Sequence, residues 1–589
     1  MIWGTLGRME TPSGTLSRKE TTVTAISHRS LLYALVIAAG LATNPFVNMG
    51  FSDDWAYSQI AVRFAQTGHI EYGKWAAAAV LVQTVYGALL TKLFGGTFVT
   101  HRLGTLFVAG FIPVLVYETG RRLKLNGRMA LFGALTVGLS PLFTPHAVSF
   151  MSDPYGCLFA LAAIYAGIRS VQAERGSTAI AWFGAGMFLA FVGGMNRQVV
   201  WVAGPAIFAA YCLSRHRQAR RQLVASAALT AAYVLGCCCV MAWLKKQPGF
   251  EYKALDAATL TFLGAHTFRT AWLYGKLVLT LLVLAIPALA AGVRARRTDA
   301  RANAVGFSGG LLVLLLGYWK IGLVFPFLSN VLTRYGLFSE GELLPGGQPV
   351  VLPMWVCRLA AALACGLALK LLAQWVPVFR QAAGRIRRAI LSADSAENAT
   401  ILSTLLPCAF MLLYLFALAF LIARGMILDR YALMLLPFLV FMIMWAWQRG
   451  GAEKPGVGAY ALLIVFSGYG TAITHDHFAL SKAQLKAVDA FEARGVARNL
   501  FLAGFEYDMS SQLPEQRHFL GPWGLPETAA AYPSVWYLPM VPAIKPVYFV
   551  STSNLPRMSS CGFQPVPYLT WLPPRHRELV VLCRGGQKP

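Results

Sequence analysis

Apolar runs of nearly 20 residues recur along most of this chain, from Leu31–Met49 near the start to Tyr460–Thr474. A helix of this length crosses the hydrocarbon core of a bilayer while satisfying its own backbone hydrogen bonds. Hydrophobic residues make up 57% of the 589 residues and charged residues only 13%, and the mean hydropathy is +0.55. The sequence therefore predicts an all-α polytopic membrane protein with about 13 transmembrane helices, and it excludes a soluble enzyme.

The formal net charge of +26 is concentrated in short clusters between the apolar runs. Lys and Arg in such positions mark the cytoplasmic ends of membrane spans. The sequence contains no zinc-ligand spacing, Walker loop or RNA-binding signature, so the charge indicates topology and no nucleic acid partner. The clusters expected in the cytoplasm are residues 121–128, 169–175, 215–221, 294–301, 380–388 and 449–454.

Three regions follow from this pattern. Residues 1–30 are Ser/Thr-rich with scattered basic residues, which is typical of a disordered cytoplasmic N-terminus. Residues 31–474 are expected to form the transmembrane domain, in which residues 51–100 are the first external loop with juxtamembrane helices. Residues 475–589 are more polar and are expected to form a small extracytoplasmic α/β domain.

The polar C-terminal region has its own local pattern. It predicts a helix at Ser481–Arg494 and short strands near Leu500–Phe505 and Pro546–Val550. Cys561 and Cys583 lie in this region and could form a disulfide if it faces an oxidising compartment.

Two of the apolar runs are ambiguous. Leu31–Met49 could be a signal peptide, but the run continues past the small residues of a cleavage site, which favours an uncleaved anchor. Trp75–Phe94 could be a span. However, only one crossing can separate an external 51–74 loop from the cytoplasmic 121–128 cluster, and His101–Gly120 supplies it. We therefore expect Trp75–Phe94 to lie along the outer interface or to re-enter the membrane.

Phe51–Lys74 opens with two adjacent carboxylates, Asp53 and Asp54, and Tyr57 follows within one helical turn. A helix starting at Ser52 would place the Tyr57 ring over the acid pair, because residues three and four apart share one face. The same residues also suit a plain helix N-terminus, with a capping hydroxyl and acids at the positive end of the dipole. Both interpretations are open on this segment alone.

The register Asp-Asp-x-x-Tyr-x-x-x-Ala-x-Arg-x-x-x-x-Gly in this segment resembles the first external loop of type-C (GT-C) glycosyltransferases. The similarity is to protein O-mannosyltransferases and lipid A aminoarabinose transferases. It implies that Asp53 is the carboxylate at the reaction centre, and Asp54 is the second candidate catalytic residue, which would orient the donor or the acceptor. Asp54 stands where many relatives have Glu, and Gly73-Lys74-Trp75-Ala76 replaces a common Lys-Pro-Pro. Both departures leave the acceptor open.

Asp153 lies in a Ser-Asp-Pro sequence at the predicted outer end of Met129–Val148. In the resembled family an Asp at this point of the second external loop assists metal or donor binding. Carboxylate oxygens suit Mg²⁺, Mn²⁺ or Ca²⁺, so Asp53 and Asp153 are the candidate ligands of a divalent cation. The alternative is an ordinary helix start, because Asp followed by Pro is favourable at the N-cap and first position.

Arg102, Arg197 and Arg430 lie at the predicted outer boundary of the spans, where the resembled family has Arg-Leu, a Lys or Arg, and Arg-Tyr. Arginine near a bilayer is costly without a partner, and a guanidinium binds phosphate in bidentate fashion. These three are the candidate ligands of a donor phosphate, and Tyr57 and Tyr431 are candidate substrate-binding residues. Each arginine alone could equally extend its charged group to the membrane surface.

The long connection Phe325–Pro353 is a candidate gate over the site, since related enzymes use a mobile external loop there. It contains Arg334, Tyr335, Glu340 and Glu342. An ordinary exposed loop is the alternative.

The resemblance and the charge pattern together imply a membrane glycosyltransferase. It would move a hexose or pentose, with inversion, from a polyprenyl-phosphate donor to a hydroxyl or phosphate of a glycolipid, glycan or protein acceptor. We expect it in a bacterial-type inner membrane, in contact with membrane lipid, with a cytoplasmic N-terminus and a periplasmic or external C-terminus.

Two other function classes stay open. A transporter or flippase of lipid-linked glycans also places charges at helix ends, although the sequence shows no repeat of its halves. A polymer ligase would depend on Arg and His rather than on an acid pair, so substitution of Asp53 separates it from a glycosyltransferase.

Overall fold

The structure, a computed structural model, consists of helices packed in a bundle with a small sheet after them. It describes residues 14–73, 75–76, 78–215, 220–250, 267–292, 300–319, 326–328, 330–338, 344–391, 395–422, 427–512, 537–538, 541, 543–556 and 558–584. The helices of the first half are α1 (Gly14–Ala42), α2 (Asp54–Thr67), α3 (Leu81–Phe94), α4 (Phe98–Ala109), α5 (Phe111–Arg122), α6 (Gly127–Gly138), α7 (Phe143–Ala147), α8 (Ser152–Gln172), α9 (Gly176–Asn196), α10 (Ala203–Arg215) and α11 (Arg220–Leu244).

The second half continues the bundle and ends in a mixed segment. Its helices are α12 (Thr267–Leu284), α13 (Ile286–Ala290), α14 (Ala300–Trp319), α15 (Met354–Leu391), α16 (Ser395–Ile422), α17 (Ala432–Arg449), α18 (Val457–Ala493) and α19 (Phe505–Gln512). Its strands are β1 (Leu332–Thr333), β2 (Gly336–Leu337), β3 (Phe501–Leu502), β4 (Tyr548–Ser551), β5 (Met558–Ser560), β6 (Val566–Trp571) and β7 (Pro574–Arg584).

Within the described part of the chain, ten helical stretches are long and apolar enough to cross a membrane, and three shorter apolar helices accompany them. The predicted all-α membrane architecture with a small C-terminal sheet is confirmed, while the number of about 13 crossings stays a prediction. The shorter helices are Ser27–Ala42, Leu81–Phe94 and Gln198–Ser214. Leu81–Phe94 is α3, and its 14 residues are fewer than the ~20 that a perpendicular span needs.

Burial separates central from peripheral helices. In the apolar 18-residue stretch of α8 the buried share is 72%, and in that of Asp429–Arg449 it is 78%. In the corresponding stretches of α11 and α14 the buried share is only 11% and 17%. Apolar helices that expose most of their surface suit contact with lipid. The helices that carry Asp153 and Arg430 are therefore at the centre of the bundle.

Helices α14 and α15 pack backbone against backbone. A Cβ added to Gly306 would lie 2.8 Å from the carbonyl oxygen of Gly366, and a Cβ on Gly366 would lie 2.8 Å from that of Gly306. Both distances are too short for a side chain, so glycine is required for this approach. Small residues at such contacts are typical of helix pairs in membranes.

Helix α1 begins at Gly14, so residues 14–30 are helical where the sequence predicts disorder. The physical reason is that adding a turn to an existing helix is cheap compared with starting one, and the apolar part of α1 supplies the start. Residues 1–13 lie outside the described residues.

The C-terminal region is built on a helix that leaves the bundle. The predicted helix at residues 481–494 is the end of α18, which runs through the expected domain boundary at residue 475 without a break. The five-stranded sheet has the order β3-β4-β7-β5, with β6 also paired to β7, and β3 and β4 are parallel. A disulfide joins Cys561 to Cys583 on β7.

Candidate active site

Asp53 occupies the N-cap position of α2, yet its side chain makes no capping hydrogen bond. Its Oδ2 lies 2.9 Å from Nη1 of Arg430, and its Oδ1 accepts a hydrogen bond of 3.0 Å from Nε1 of Trp75. The Asp53 and Arg430 side chains are 18% and 14% exposed. Helix capping therefore does not explain the position of the Asp53 side chain. The side chain instead forms a partly exposed ion pair with Arg430.

Asp54 has the opposite environment. It is buried, with only 1% of its surface exposed. Its Oδ1 accepts a hydrogen bond from the Phe51 N–H at 2.6 Å, and its Oδ2 accepts one from the Phe150 N–H at 3.2 Å. Burial raises the pKa of this carboxyl to about 6, against the favourable charge of Arg102. These contacts favour a role in holding the loop, and a direct catalytic role of Asp54 stays a prediction.

Asp153 and Arg197 form a second ion pair beside the first. Asp153 lies in the first turn of α8 without capping it, and its Oδ1 contacts Nη1 of Arg197. The Arg430 guanidinium interacts electrostatically with both Asp53 and Asp153. The structure thus brings together two carboxylates and two guanidinium groups from four segments, and Asp53 and Arg430 are 377 positions apart in sequence.

Two tyrosines border this charge cluster. The Arg197 guanidinium lies 5.2 Å from the centre of the Tyr431 ring. Tyr57 is buried, and burial raises the pKa of its phenol to about 12, with Arg430 and Asp53 acting on it electrostatically. The Tyr57 hydroxyl therefore stays protonated at neutral pH and can donate a hydrogen bond. Both predicted substrate-binding residues lie at the cluster.

Arg102, predicted from the sequence to bind the donor phosphate, donates its hydrogen bonds to backbone carbonyl oxygens. It is fully buried. Its Nη1 donates to the carbonyl oxygens of Pro45 and Val47 at 2.8 and 2.7 Å, and its Nη2 donates to that of Met49 at 2.8 Å. These contacts favour a role in fixing residues 45–49, the chain that enters the acidic loop (residues 50–54), rather than in binding a donor phosphate.

The predicted divalent-cation ligands do not fit a metal ion as they are arranged. Asp53 and Asp153 are each paired with a guanidinium. These guanidinium groups already neutralise the two carboxylates, and they would repel a metal cation brought close to them. Among the described residues, no group of three or more His, Cys, Asp or Glu side chains could hold a metal ion. The dependence on Mg²⁺, Mn²⁺ or Ca²⁺ remains an unsupported prediction.

Two buried polar atoms at this cluster have hydrogen-bonding capacity left over. Oδ2 of Asp153 and Nε of Arg430 have no hydrogen-bond partner among the described residues. Buried polar atoms are nearly always paired in folded proteins. The cluster can therefore accept one hydrogen bond and donate another to a bound molecule.

Two contacts that fix the start of α2 and the loop before it could not be found from the sequence. Ser52 has a φ of +56°, a left-handed conformation that is uncommon for a residue with a side chain. Its N–H donates to Oε1 of Glu506 at 3.3 Å. Nearby, Nε2 of Gln59 donates to the carbonyl oxygen of Ser510 at 2.9 Å. Helix α19 of the C-terminal region thus holds the backbone directly before Asp53.

The long connection before α15 also contacts this loop. Asp429 accepts hydrogen bonds from the N–H groups of Val331 and Leu332 at distances from 2.6 to 3.1 Å. The Phe338 ring packs at 5.4 Å from the ring of Phe51. Glu340 and Glu342 lie outside the described residues. Phe338, directly after β2, therefore lies against Phe51, and the gating role of the connection stays a prediction.

Residues 83–245 match the family model described as dolichyl-phosphate-mannose-protein mannosyltransferase. This match is well under half of the chain, and it includes Arg102, Asp153 and Arg197. The predicted GT-C resemblance is confirmed. No curated protein sequence matches the chain significantly.

Solved structures similar to this chain include ArnT from Cupriavidus metallidurans bound to undecaprenyl phosphate. It is 14% identical over 72% of this chain and 77% of that chain, with a TM-score of 0.30. The Archaeoglobus fulgidus oligosaccharyltransferase in complex with Zn and sulfate is 12% identical over 79% of this chain and 57% of that chain, with a TM-score of 0.32. The arabinofuranosyltransferase AftD from Mycobacteria is 14% identical over 68% of this chain and 27% of that chain, with a TM-score of 0.30. These similarities are too low to carry residue roles to this chain.

Proposed function

We propose that this protein transfers a sugar from a polyprenyl-phosphate donor to a hydroxyl or phosphate of a glycolipid, glycan or protein acceptor, with inversion at the anomeric carbon. The observation that carries the proposal is the meeting of Asp53, Arg430, Asp153 and Arg197 in one cluster of a polytopic membrane protein. A polyprenyl-phosphate donor has a chain for the lipid and a phosphate for cations at the membrane boundary.

Asp53 is the proposed general base. As the acceptor oxygen attacks the anomeric carbon, its proton passes to the Asp53 carboxylate, and the bond from that carbon to the phosphate oxygen breaks. Asp53 is the more exposed of the two adjacent acids. The hydrogen bond from Trp75 holds Oδ1 of Asp53, and the ion pair with Arg430 holds Oδ2.

Arg430 and Arg197 are the proposed ligands of the donor phosphate. The leaving polyprenyl phosphate gains negative charge as the bond breaks, and guanidinium groups already in place stabilise it. Arg430 is paired with Asp53. A donor phosphate would compete for that guanidinium and so free the carboxylate to act as a base.

The side of the membrane belongs to the same proposal. The alternation of basic clusters supports a position of the Asp53 cluster and the C-terminal region on the periplasmic or external side of a bacterial-type inner membrane, with the N-terminus in the cytoplasm. Single cysteines at positions 53, 121 and 510, treated with an impermeant thiol reagent, should be labelled outside, inside and outside, respectively. Cytoplasmic labelling at position 510 would contradict this topology.

The direct test is a transfer assay in lipid nanodiscs with a polyprenyl-phosphate sugar and extracted acceptor lipids and glycans. The wild-type protein should release polyprenyl phosphate and form a glycosylated product of inverted configuration, whereas Asp53→Ala should form none. Glu118→Gln is the matched control, because it breaks a different ion pair, with Arg29, and should leave transfer unchanged. Wild-type rates in Asp53→Ala would exclude the proposed base.

A further inference from the structure

A cavity lined by none of the residues of the Asp53 cluster lies along the polar part of α18. It has a volume of about 200 Å³. His475, Ala479, Lys482 and Lys486 line it at spacings of three or four residues, so they occupy one face of the helix. The remaining lining residues are Asn44, Ala483, Pro567, Tyr568 and Leu569. One face of α18, the chain just after α1 and strand β6 therefore border an open cavity.

The cavity carries positive charge without a counterion. Among the described residues, neither the Lys482 nor the Lys486 ammonium forms a hydrogen bond or an ion pair. The neighbouring carboxylate of Asp476 pairs with Nδ1 of His475 at 3.1 Å and accepts hydrogen bonds from the Trp571 and Leu572 N–H groups at 2.6 and 2.9 Å. Two like charges one turn apart repel each other, and a bound anion would relieve that repulsion.

The cavity also lies where apolar helices give way to polar chain. The apolar run of α18 ends at Thr474, and α1 ends at Ala42, two residues before Asn44. On strand β6, Leu569 and Trp571 are 47% and 42% exposed. Apolar and aromatic side chains beside lysines are the combination expected at a membrane surface.

From these observations we infer that this cavity binds the phosphate of an anionic lipid headgroup. Lys482 and Lys486 pair with the phosphate, while Leu569 and Trp571 contact the lipid beside it. The same ammonium groups could hold a free phosphate ion, but the position at the end of two apolar helices favours the lipid. The inference is independent of the transfer reaction, since it uses none of the residues of the Asp53 cluster.

The test is native mass spectrometry of the full-length protein, titrated with phosphatidylglycerol or with phosphatidylcholine. Each lysine near an anionic surface adds about fivefold to affinity, so Lys482→Gln with Lys486→Gln should weaken phosphatidylglycerol binding ~25-fold. Phosphatidylcholine binding should change little. Lys545→Gln is the control, because Lys545 is exposed and does not line the cavity.

A second variant and a competitor separate the two sources of phosphate. Leu569→Ser with Trp571→Ser should weaken lipid binding while keeping both lysines, and inorganic phosphate at millimolar concentration should displace little lipid. Equal phosphatidylglycerol binding by the double-lysine variant and the wild type would overturn the inference. So would full displacement by inorganic phosphate, which would identify a soluble anion as the ligand.

Discussion

Two adjacent carboxylates lie at the start of α2, and each is close to an arginine, but the two pairs are unlike. Asp53 and Arg430 keep 18% and 14% of their side chains exposed and contact each other directly. Asp54 and Arg102 are buried, and each contacts backbone groups instead. Successive residues of a helix point about 100° apart, so neighbours in sequence reach different surroundings.

The difference between the pairs assigns them different work. Asp54 and Arg102 satisfy backbone groups of residues 45–51 and of Phe150, which fixes the loop. Asp53 and Arg430 are partly exposed and so can be reached by a donor or an acceptor. A reaction centre needs both kinds of residue, because a reacting group must be held within a fraction of an ångström.

The largest expected effect separates the two acids. Asp53→Asn removes the proposed base and should lower the transfer rate ~10²- to 10⁴-fold with an unchanged melting temperature. Asp54→Asn leaves one of two backbone N–H groups without its acceptor, which costs about 1–3 kcal/mol of stability. It should lower the melting temperature and slow transfer by less than about tenfold. Rates in nanodiscs and melting in detergent measure both, and a similar rate loss in both variants would remove the distinction.

The next effect separates the two arginines. Arg430→Ala should lower transfer about 10²-fold, mainly through weaker use of the donor, because one ligand of the leaving phosphate is lost. Arg102→Ala leaves three carbonyl oxygens without their buried donor, at about 1 kcal/mol or more each, so it should reduce folded yield. Arg102→Lys restores part of that yield. A well-folded Arg102→Ala protein with weakened donor use would show that Arg102 also binds phosphate.

The residues that meet at the site could largely be predicted from the sequence. Asp53, Asp153, Arg197 and Arg430 each lie in a short motif at a predicted outer boundary, and the alternation of basic clusters predicts that these boundaries lie on one side of the membrane. A common side makes contact possible without ensuring it, because Arg102 meets the same criteria and binds backbone carbonyl oxygens instead. The motifs could not distinguish Asp53 from Asp54, because the direction of a side chain depends on the loop before α2.

The residues that support the loop could not be predicted. Glu506 contacts Ser52 across 454 positions of sequence, and the region around Glu506 has no periodic pattern that fixes its neighbours. Trp75 lies in a departure from the family pattern, so the resemblance pointed away from its role. The left-handed conformation of Ser52 has no signal either, since Gly or Asn is the usual residue there.

A smaller effect tests this support. Glu506→Ala removes the acceptor of the Ser52 N–H and should lower the turnover rate about tenfold by loosening the position of Asp53. Glu506→Gln keeps an oxygen acceptor and should retain most of the rate. Gly accepts a positive φ without strain, so Ser52→Gly should partly restore turnover to the Glu506→Ala protein. If Glu506→Gln were as slow as Glu506→Ala, and Ser52→Gly restored no turnover to Glu506→Ala, then Glu506 would act otherwise than through Ser52.

The smallest effect is a pH dependence that belongs to Asp54. Burial raises the pKa of its carboxyl from 3.8 to about 6 in the folded protein, whereas the unfolded chain ionises near the lower value. Between these values the folded state holds the proton that the unfolded state has lost. Stability from this group therefore falls as the pH rises from about 4 to about 6, and it is constant above that range.

Asp54→Asn cannot ionise, so the melting temperature of the wild type minus that of Asp54→Asn should decrease over this range and then level off. Asp53→Asn is the matched control, because its neighbour Asp54 still titrates and the slope should persist. A difference between wild type and Asp54→Asn that is flat or rises with pH would show that Asp54 ionises easily in the fold. Its two backbone hydrogen bonds would then outweigh its burial, and the contrast between the adjacent acids would rest on position alone.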